Sequence, residues 1–573
     1  MIKLALLLFS GLIVAQTKNF KVPFENGNGN QCPTYAEVVA FYAGLGASFE
    51  TISINDGRPT DSGELLQLVV FDPDKQFFDP EHKKTVILIN NGIHAGEPDG
   101  VDATMLLFRD LATGKIKAPK NVIVAAIPVY NIGGYLNRNS TTRVNQDGPE
   151  EYGFRGNARN YDLNRDFIKA DAANTWGFHK FYHLLDPEIV IDNHVSNGAD
   201  YQYVLTYIMT NHNRLGKNLG DYLDQTVMPA LVSDLKKKKT EMTPYVNAWG
   251  ETPDKRGFAQ FDDTPRYATG YTSLFNSIGF VVETHMLKKY DKRVRATYDF
   301  MVSTLEFAEK FSDAIRDKRS ANASEFVPGK QYPLTWAIDS AKVGKLEFLG
   351  YEGIYKKSDV TTGNRLFYDR KKPYKKTIPF YKEYKPVKQV SIPEYYVIPQ
   401  GWWNVTRLLQ ANGIEGRRIE NDTVIEVEGY RIVDYKTRQS AYEGHYPHYN
   451  TNLMRTVSKM TFRAGDYLYP TRQKGVKYLM ETLEPEAVDS FFNWNFFDTI
   501  LQQKEGYSDY VFEDLAAEIL RQNPKLQSEL NQKRNSDPEF ANNPETQLDW
   551  VYKHSVYYEK AHLQYPVYRI NNE

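Results

Sequence analysis

The chain contains almost no cysteine: Cys32 stands alone among 573 residues. A single cysteine excludes an intramolecular disulfide, so stability must come from the core and from any bound metal. Net charge is also small: the formal value of −2 gives no electrostatic argument for binding nucleic acid. After residue 15 no long apolar run follows, and the mean hydropathy is −0.55, so the sequence predicts no membrane span.

The N-terminus carries the apolar stretch that the rest of the chain lacks. A positive charge at Lys3 precedes an apolar run from Leu4 to Ala15, which is typical of a secretory signal peptide. The run is too short to cross a bilayer as a stable helix. Residues 1–15 are therefore predicted to be a signal peptide, and the protein to be exported to the periplasm or secreted.

Three apolar runs, each of the kind that forms a buried strand, lead into residues that can bind a metal or move a proton. Residues 85–89 lead into His94 and Glu97, a second run ends at His194, and a third ends at Glu283. Open α/β sheets bind ligands at the carboxyl ends of their strands. A parallel sheet would therefore bring these four side chains to one edge.

These four residues match the needs of a catalytic zinc site. Such a site has three protein ligands and one open position, and His94, Glu97 and His194 supply the ligands. Glu283 remains as a carboxylate beside the metal, which suits a general base. Taken singly, each residue is as well explained by a polar loop, a core histidine or an ion-paired strand end. Their joint occurrence in this order favours the metal site.

A fourth segment lies between the two sets of metal-ligand residues, and it carries a family resemblance. Residues 160–167 read Asn-Tyr-Asp-Leu-Asn-Arg-Asp-Phe. With this segment, roughly residues 30–320 resemble the zinc carboxypeptidases of the carboxypeptidase A-like (funnelin) family, here of a bacterial exported type with a long C-terminal extension. The residues that carry the resemblance, in family order, are His94, Glu97, Asp162, Asn164, Arg165, His194 and Glu283.

The resemblance implies a fold and a division of roles. The fold would be α/β, with a mixed, largely parallel twisted sheet and helices on both faces. One Zn²⁺ would bind per chain, and Asp162 would hydrogen-bond the His94 ligand and fix its orientation. Arg165, with its planar fork of donors, and Asn164 would hold the free carboxylate of a peptide substrate.

Two further roles each have more than one candidate in the sequence. For the arginine that stabilises the oxyanion we favour Arg143, with Arg138 as the other candidate, over Arg155 and Arg159. For the family's substrate-binding tyrosine, Tyr271 and Tyr267 are the candidates. The chain also departs from the family's best-studied branch, because Gly96 stands where that branch has an arginine beside the glutamate ligand.

The chain is longer than one catalytic domain. We predict a catalytic domain over residues 16–320, a β-rich accessory segment over 321–400, and a mixed α/β to helical region over 401–573. Residues 320–324, Ser-Ala-Asn-Ala-Ser, are predicted to be a linker.

Three hypotheses of function follow. The first is a zinc metallocarboxypeptidase that acts on peptides or proteins with a free C-terminus. The second keeps the site and changes the substrate: a zinc amidase on cell-wall peptides, or another zinc amidohydrolase. The third is a non-catalytic binding protein on the same fold, against which the complete set of ligands with Glu283 argues.

Overall fold

The structure is a computed structural model that describes residues 20–79 and 81–571. The predicted signal peptide, residues 1–15, lies outside the described residues. The strands are β1 (Ile52–Pro59), β2 (Leu65–Phe71), β3 (Thr85–Asn91), β4 (Val122–Ile127), β5 (Ile189–Ser196), β6 (Leu205–Met209), β7 (Met242–Pro244), β8 (Phe258–Ala259), β9 (Ile278–His285), β10 (Gln331–Ile338), β11 (Gly344–Lys357), β12 (Asn364–Tyr381), β13 (Tyr384–Ser391), β14 (Tyr395–Ile398), β15 (Arg417–Arg418), β16 (Thr423–Thr437), β17 (His448–Phe462), β18 (Tyr467–Pro470) and β19 (Tyr568–Ile570).

Helices alternate with the strands in the first half of the chain and cluster near its end. They are α1 (Pro23–Asn26), α2 (Tyr35–Ser48), α3 (Asp99–Ala112), α4 (Ile132–Leu136), α5 (Ala173–Leu185), α6 (His212–Leu215), α7 (Lys217–Tyr222), α8 (Met228–Lys237), α9 (Ala268–Ser273), α10 (Tyr290–Ala323), α11 (Trp403–Ala411), α12 (Val476–Leu483), α13 (Asp509–Gln522), α14 (Pro524–Ser536), α15 (Pro538–Ala541) and α16 (Pro544–Lys553). Two 3₁₀ turns lie in the described residues: Leu163–Arg165, in the segment that carries the family resemblance, and Asp498–Leu501.

The main sheet has eight strands in the order β1-β2-β4-β3-β5-β9-β6-β7. The central four, β4, β3, β5 and β9, are parallel to one another, whereas β2 and β6 join them antiparallel. Because the central strands are parallel, their carboxyl ends meet at one edge of the sheet. The prediction of a mixed, largely parallel α/β sheet is confirmed.

Both faces of this sheet are covered, which explains why its strands are apolar throughout. In β3, Ile87 and Ile89 pack into one core with helices α2, α3 and α10. Val86 and Leu88 point the other way and pack into a second core with α5, α9, α11 and α12. Alternate residues of a strand point to opposite faces, so a continuous apolar run is what two cores require.

The second core continues into the C-terminal half of the chain. Tyr396, Leu479 and Trp494 belong to the same buried cluster as Val86 of the main sheet. The predicted β-rich segment is present, and its strands β12 and β14 pair with strands outside it. β12 pairs with β8, and β14 joins the six-stranded sheet β15-β18-β14-β19-β16-β17. Later elements are therefore packed onto the first domain through shared apolar surface.

The predicted linker at residues 320–324 is instead the end of α10, which runs to Ala323. Asn322 is fully buried there. Its amide donates to Leu215 O at 2.7 Å, and its Oδ1 accepts from Leu219 N at 3.1 Å. Small polar residues are typical of linkers, but here the asparagine satisfies backbone groups of the neighbouring helices. No helix in the described part of the chain is both long and apolar enough to cross a membrane.

Candidate active site

The carboxyl ends of the central strands hold the predicted metal-binding residues. His194 lies in β5 directly opposite Glu283 in β9, in register. His94 and Glu97 lie in the turn after β3, where Glu97 N donates to His94 O at 2.8 Å. Gly96 lies between them, and a Cβ at this position would lie 2.5 Å from the Arg143 side chain, which would then have to move.

The three predicted ligands converge, and all three are buried. Nδ1 of His94 lies 3.2 Å from Oε1 of Glu97, and Nδ1 of His194 lies 3.0 Å from Oε2. The two Nδ1 atoms are 3.2 Å apart. One ligand atom from each residue can be chosen so that all lie within 4.8 Å of one another. The opposite ring nitrogens, Nε2, donate to Asp162 at 3.1 Å and to Asp192 at 2.8 Å.

This donor set fits a catalytic zinc ion. Two imidazoles and one carboxylate are a set of ligands that such sites use. A carboxylate behind each imidazole fixes the tautomer that leaves Nδ1 free and makes the ring a better ligand. The Nδ1 atoms of His94 and His194 thus converge on the Glu97 carboxylate in an arrangement that can bind a cation.

The pKa shifts of Glu97 and His194 also favour a bound cation. Burial acts to raise the pKa of Glu97, but Arg143 and His94 outweigh it and hold the pKa well below its ordinary value. Burial acts to lower the pKa of His194, but Asp192 and Glu97 raise it well above its ordinary value. The cluster therefore attracts positive charge, and a proton and a metal ion compete for the same nitrogen.

Glu283 lies beside these residues as a separate carboxylate. Burial raises its pKa to about 7, with Glu97 and Asp192 adding to the effect and His194 and Arg143 opposing it. A carboxylate that can take and return a proton near neutral pH suits general acid–base chemistry.

Asp162, Asn164 and Arg165 form the next part of the site. Oδ1 of Asp162 accepts from Asn164 N at 2.9 Å as well as from His94. Burial would raise the pKa of Asp162, but His94, Arg155 and Arg165 hold it well below its ordinary value. The guanidinium of Arg165 lies over the Tyr267 ring, 4.5 Å from its centre. Stacking of this kind orients the guanidinium while leaving donors for a ligand.

These groups open into one cavity of about 140 Å³. Its lining brings together the three predicted ligands, Glu283, Asn164 and Arg165. The other residues that line it are Arg155, Val195, Asn197, Ile208, Tyr245, Phe261, Asp263, Tyr267, Thr269 and Val281.

Three of the residues predicted to be catalytic or to bind the substrate do not line this cavity. Arg143 contacts Glu97 Oε1 at 2.9 Å, behind the ligand rather than in the cavity. Arg138 donates to Pro33 O at 3.1 Å. Tyr271 is fully buried and donates to Asn412 Oδ1 at 2.6 Å, so it is a core residue in this structure. Its spacing from Glu283 did not distinguish it from Tyr267, one helical turn away.

The cavity also contains residues that the sequence did not single out. Arg155, which the sequence ranked low, donates to Asp162 Oδ2 through Nε at 3.1 Å and Nη2 at 2.8 Å. Its remaining nitrogen, Nη1, lies 3.9 Å from Glu97 Oε1. Tyr245 and Asp263 come from the stretch before β9, where no pattern marked them. Of these three residues, only Arg155 could have been found from the sequence, because it lies seven positions before Asp162.

The C-terminal half reaches the site through the loop between β16 and β17. Oε2 of Glu443 accepts from Asp162 N at 2.9 Å. In the same loop, His445 donates to Asp171 at 2.8 Å. The backbone that presents Asp162, Asn164 and Arg165 is therefore braced by a loop residue 281 positions away in sequence.

The chain is similar in sequence to fungal carboxypeptidases. "Carboxypeptidase 2" of Trichophyton rubrum is 21% identical over 430 residues, which cover 72% of this chain and 74% of that protein. "Probable carboxypeptidase 2" of Arthroderma benhamiae is 19% identical over 428 residues, which cover 72% and 75%. No family model matches the chain.

Among solved structures, a metallo-carboxypeptidase from Burkholderia cenocepacia aligns with a TM-score of 0.37 and 15% identity, covering 49% of this chain and 70% of that one. The similarity to curated carboxypeptidases over 72% of the chain confirms the predicted resemblance to carboxypeptidases.

Proposed function

We propose that this chain, a homologue of the carboxypeptidase A-like metallopeptidases, is a zinc-dependent carboxypeptidase that removes residues from the free C-termini of peptides. The observation that carries the proposal is the shared cavity of the His94–Glu97–His194 cluster, Glu283, and the Asn164–Arg165 pair. A metal site alone would suit many hydrolases. A fixed guanidinium beside it suits a substrate that carries a carboxylate.

His94, Glu97 and His194 would hold the zinc ion, which when bound acts as a Lewis acid and lowers the pKa of a water molecule. Asp162 and Asp192 keep both imidazoles in the tautomer that presents Nδ1. Glu283 takes a proton from the attacking water and returns it to the leaving amine.

Arg165 and Asn164 bind the terminal carboxylate and so place the last peptide bond at the metal site. Tyr267, stacked on Arg165, keeps the guanidinium in position. Such positioning is a large part of catalysis, because it converts an encounter into an oriented complex.

For the oxyanion that develops on the scissile carbonyl we propose Arg155 in place of Arg143. Its bidentate contact with Asp162 fixes the guanidinium, and its Nη1 is left for the substrate. A fixed cationic donor of this kind stabilises charge that appears only in the transition state. Arg143 instead supports the Glu97 ligand.

The proposal includes export, supported by the apolar stretch of residues 1–15. The experiment that tests the function is digestion of a peptide library by the zinc-loaded protein, read by mass spectrometry. Each peptide is supplied with a free and with an amidated C-terminus. Stepwise loss of C-terminal residues from the free peptides alone is expected. Equal cleavage of both forms would instead support the amidase alternative, including action on cell-wall peptides.

A further inference from the structure

The long hairpin formed by β11 and β12 carries an excess of positive charge. Residues 344–381 contain nine lysines and arginines against four acidic residues, whereas the whole chain has a formal charge of −2. A surface on which one sign of charge is concentrated attracts ligands of the opposite sign. The hairpin is therefore a place at which this nearly neutral chain attracts anions.

Three of the hairpin cations are consecutive and stand in a bulge of β12. Tyr351 of β11 pairs with Pro373, and the next residue along β11 pairs with Asp369. Residues 370–372, Arg-Lys-Lys, therefore have no partner across the hairpin, and they are called the β12 bulge below. Oδ1 of Asp369 accepts from Lys371 N at 3.0 Å and holds the turn of the backbone there. Bulges redirect side chains out of the regular sheet, and this one displays positive charge.

The cations of the β12 bulge differ in whether they have a counter-ion. Nε of Arg370 lies 2.7 Å from Oδ2 of Asp200. The next two lysines of β12 are also paired with carboxylates. Lys371 and Lys372 are exposed and form no ion pair with any described residue. Their two ammonium groups are thus free to take an anionic partner.

The β12 bulge is tied to the strand that carries the proposed general base. Asp200, the partner of Arg370, also contacts Nε2 of His285 through its other oxygen, at 3.1 Å. His285 ends β9 and follows Glu283 by two positions, so the two side chains point to the same face of the sheet. Glu283 lines the active-site cavity. The bulge therefore lies beyond the carboxyl end of β9, on the side of the sheet that carries the cavity.

A second contact holds the hairpin against the wall of the same cavity. Asn197 lines the cavity, and four positions later Tyr201 forms a β-bridge with Gly350 of β11. Gly350 immediately precedes Tyr351, the last residue of β11 that is paired before the bulge. The β12 bulge thus adjoins the segment that lines the cavity and is remote from the free end of the hairpin. Its free cations stand at the rim of the active site.

We infer that Lys371 and Lys372 select peptides and proteins that carry acidic residues upstream of the scissile bond. This inference rests on the proposed carboxypeptidase function, in which the chain before the last residue leaves the cavity across its rim. Two strand positions and the side chains that follow them separate the bulge from Glu283 by on the order of 15–20 Å, which an extended peptide spans in about four to six residues. Two free ammonium groups suit carboxylates on one peptide, whereas binding to an anionic membrane takes about four to eight clustered cations.

The test uses the full zinc-loaded chain and three peptides that differ only at positions four to six before the scissile bond. These positions carry three aspartates, three asparagines or three lysines. Asparagine keeps the size of aspartate and lacks its charge. At low salt the wild type should prefer the aspartate to the asparagine peptide by about 10-fold in kcat/KM, and the lysine peptide should be the poorest substrate. The preference should disappear in 1 M salt, where the Debye length is about 3 Å.

A pair of double variants assigns this preference to the β12 bulge. Lys371→Gln with Lys372→Gln should reduce the preference to about 2-fold or less, with kcat for the asparagine peptide retained. The matched control is Lys356→Gln with Lys357→Gln, which removes the same charge from the same hairpin. Lys357 belongs to the sixth pair beyond the bulge, about 20 Å away along the strand. The control should keep the preference.

Three outcomes overturn the inference and leave the carboxypeptidase proposal standing. They are equal kcat/KM for the aspartate and asparagine peptides in the wild type, a preference that survives in the bulge variant, and an equal loss of preference in the control.

A binding measurement separates recognition from catalysis. In the Glu283→Gln background, calorimetry should show tighter binding of the aspartate than of the asparagine peptide, and the bulge variant should abolish the difference. If no peptide loses its last residue, the proposed function fails, and this measurement still decides whether the β12 bulge recognises an acidic peptide. Equal binding of both peptides, with phosphatidylglycerol vesicles bound by the wild type and not by the bulge variant, would overturn the inference and assign the bulge to an anionic membrane surface.

Discussion

His194 and Glu283 are direct partners in register on the adjacent parallel strands β5 and β9. One is a proposed metal ligand and the other the proposed general base. Their separation is therefore set by the spacing of strands in a sheet that is buried on both faces, which is among the most rigid arrangements a protein offers. Catalytic groups on such elements are held more precisely than groups on loops.

The metal site can be tested by its ligands. His194→Ala should lose zinc and activity together, because it removes one of three proposed ligands and its contact with Glu97 Oε2. Metal content after dialysis against a weak chelator is the measurement. His212→Ala is the matched control. His212 belongs to another His–Asp–Glu group, His212, Asp224 and Glu383, in which Lys382 already contacts Asp224 at 2.6 Å. Retention of one zinc per chain by His194→Ala would contradict the assignment.

Glu283→Gln should keep the zinc and lose turnover. Glutamine retains the size and hydrogen bonding of glutamate but cannot accept the proton, so kcat should fall by at least about 10²-fold. Steady-state kinetics and metal analysis on the same preparation are required. A variant with near-normal kcat, or one that has lost its zinc, would rule out the role of general base.

Arg165→Ala should weaken the processing of peptides with free C-termini, chiefly through KM, because the carboxylate loses its charged partner. The expected loss in kcat/KM is about 10²-fold. Arg159→Ala is the control, since Arg159 lies in the same segment but donates to Asp171 O, 2.9 Å away. A similar loss in both variants would indicate a general disturbance of the segment instead of carboxylate recognition.

Arg155 and Arg143 should give different phenotypes. Arg155→Ala should lower kcat by about 10²-fold with zinc retained, as expected for loss of an oxyanion donor. Arg143→Ala should weaken zinc binding by about 10-fold or more, because Arg143 contacts the Glu97 ligand. Zinc titration and kcat, measured for both variants, separate the roles. The reverse pattern would restore Arg143 as the oxyanion residue.

The stability of the protein without bound peptide should depend on pH through Asp263. Burial raises the pKa of this carboxyl from 3.8 to about 7 in the folded state, so between these values the folded protein binds more protons than the unfolded chain. This contribution to stability is complete below the unfolded pKa and is lost as pH rises through the folded one.

Asp263→Asn removes that dependence. From about pH 5 to about pH 7.5, the stability of the variant relative to wild type should increase by about 2 to 3 kcal/mol. Urea unfolding of both zinc-loaded proteins at the two pH values measures the change. A constant difference would mean that Asp263 is ionised throughout and has a partner.

The catalytic residues were predictable where the sequence signal is local. An apolar run that ends in a histidine or glutamate marks a strand end, and the spacing of His94 and Glu97 places both in one turn. The long apolar runs also predicted buried strands, and the family resemblance implied helices on both faces of the sheet. Successive residues of β3 face two different cores, and this is why the strand is apolar at every one of these positions.

Residues that reach the site from distant parts of the chain were not predictable. Arg155 and Arg143 are close in sequence, but only tertiary packing decides which guanidinium enters the cavity and which lies behind Glu97. Tyr271 and Tyr267 are likewise separated by one turn, and helix orientation alone sends Tyr271 into the core.

The sequence by itself determined the types and the order of the candidate ligands and the apolar strands that bring them to one edge, because these follow from short-range pattern and strand geometry. Tertiary structure alone decided that Glu443 braces the Asp162 segment and that Asp263 is buried in the cavity wall. Both depend on contacts between segments far apart in the chain. Such contacts form only when the cores pack, and no local pattern encodes them.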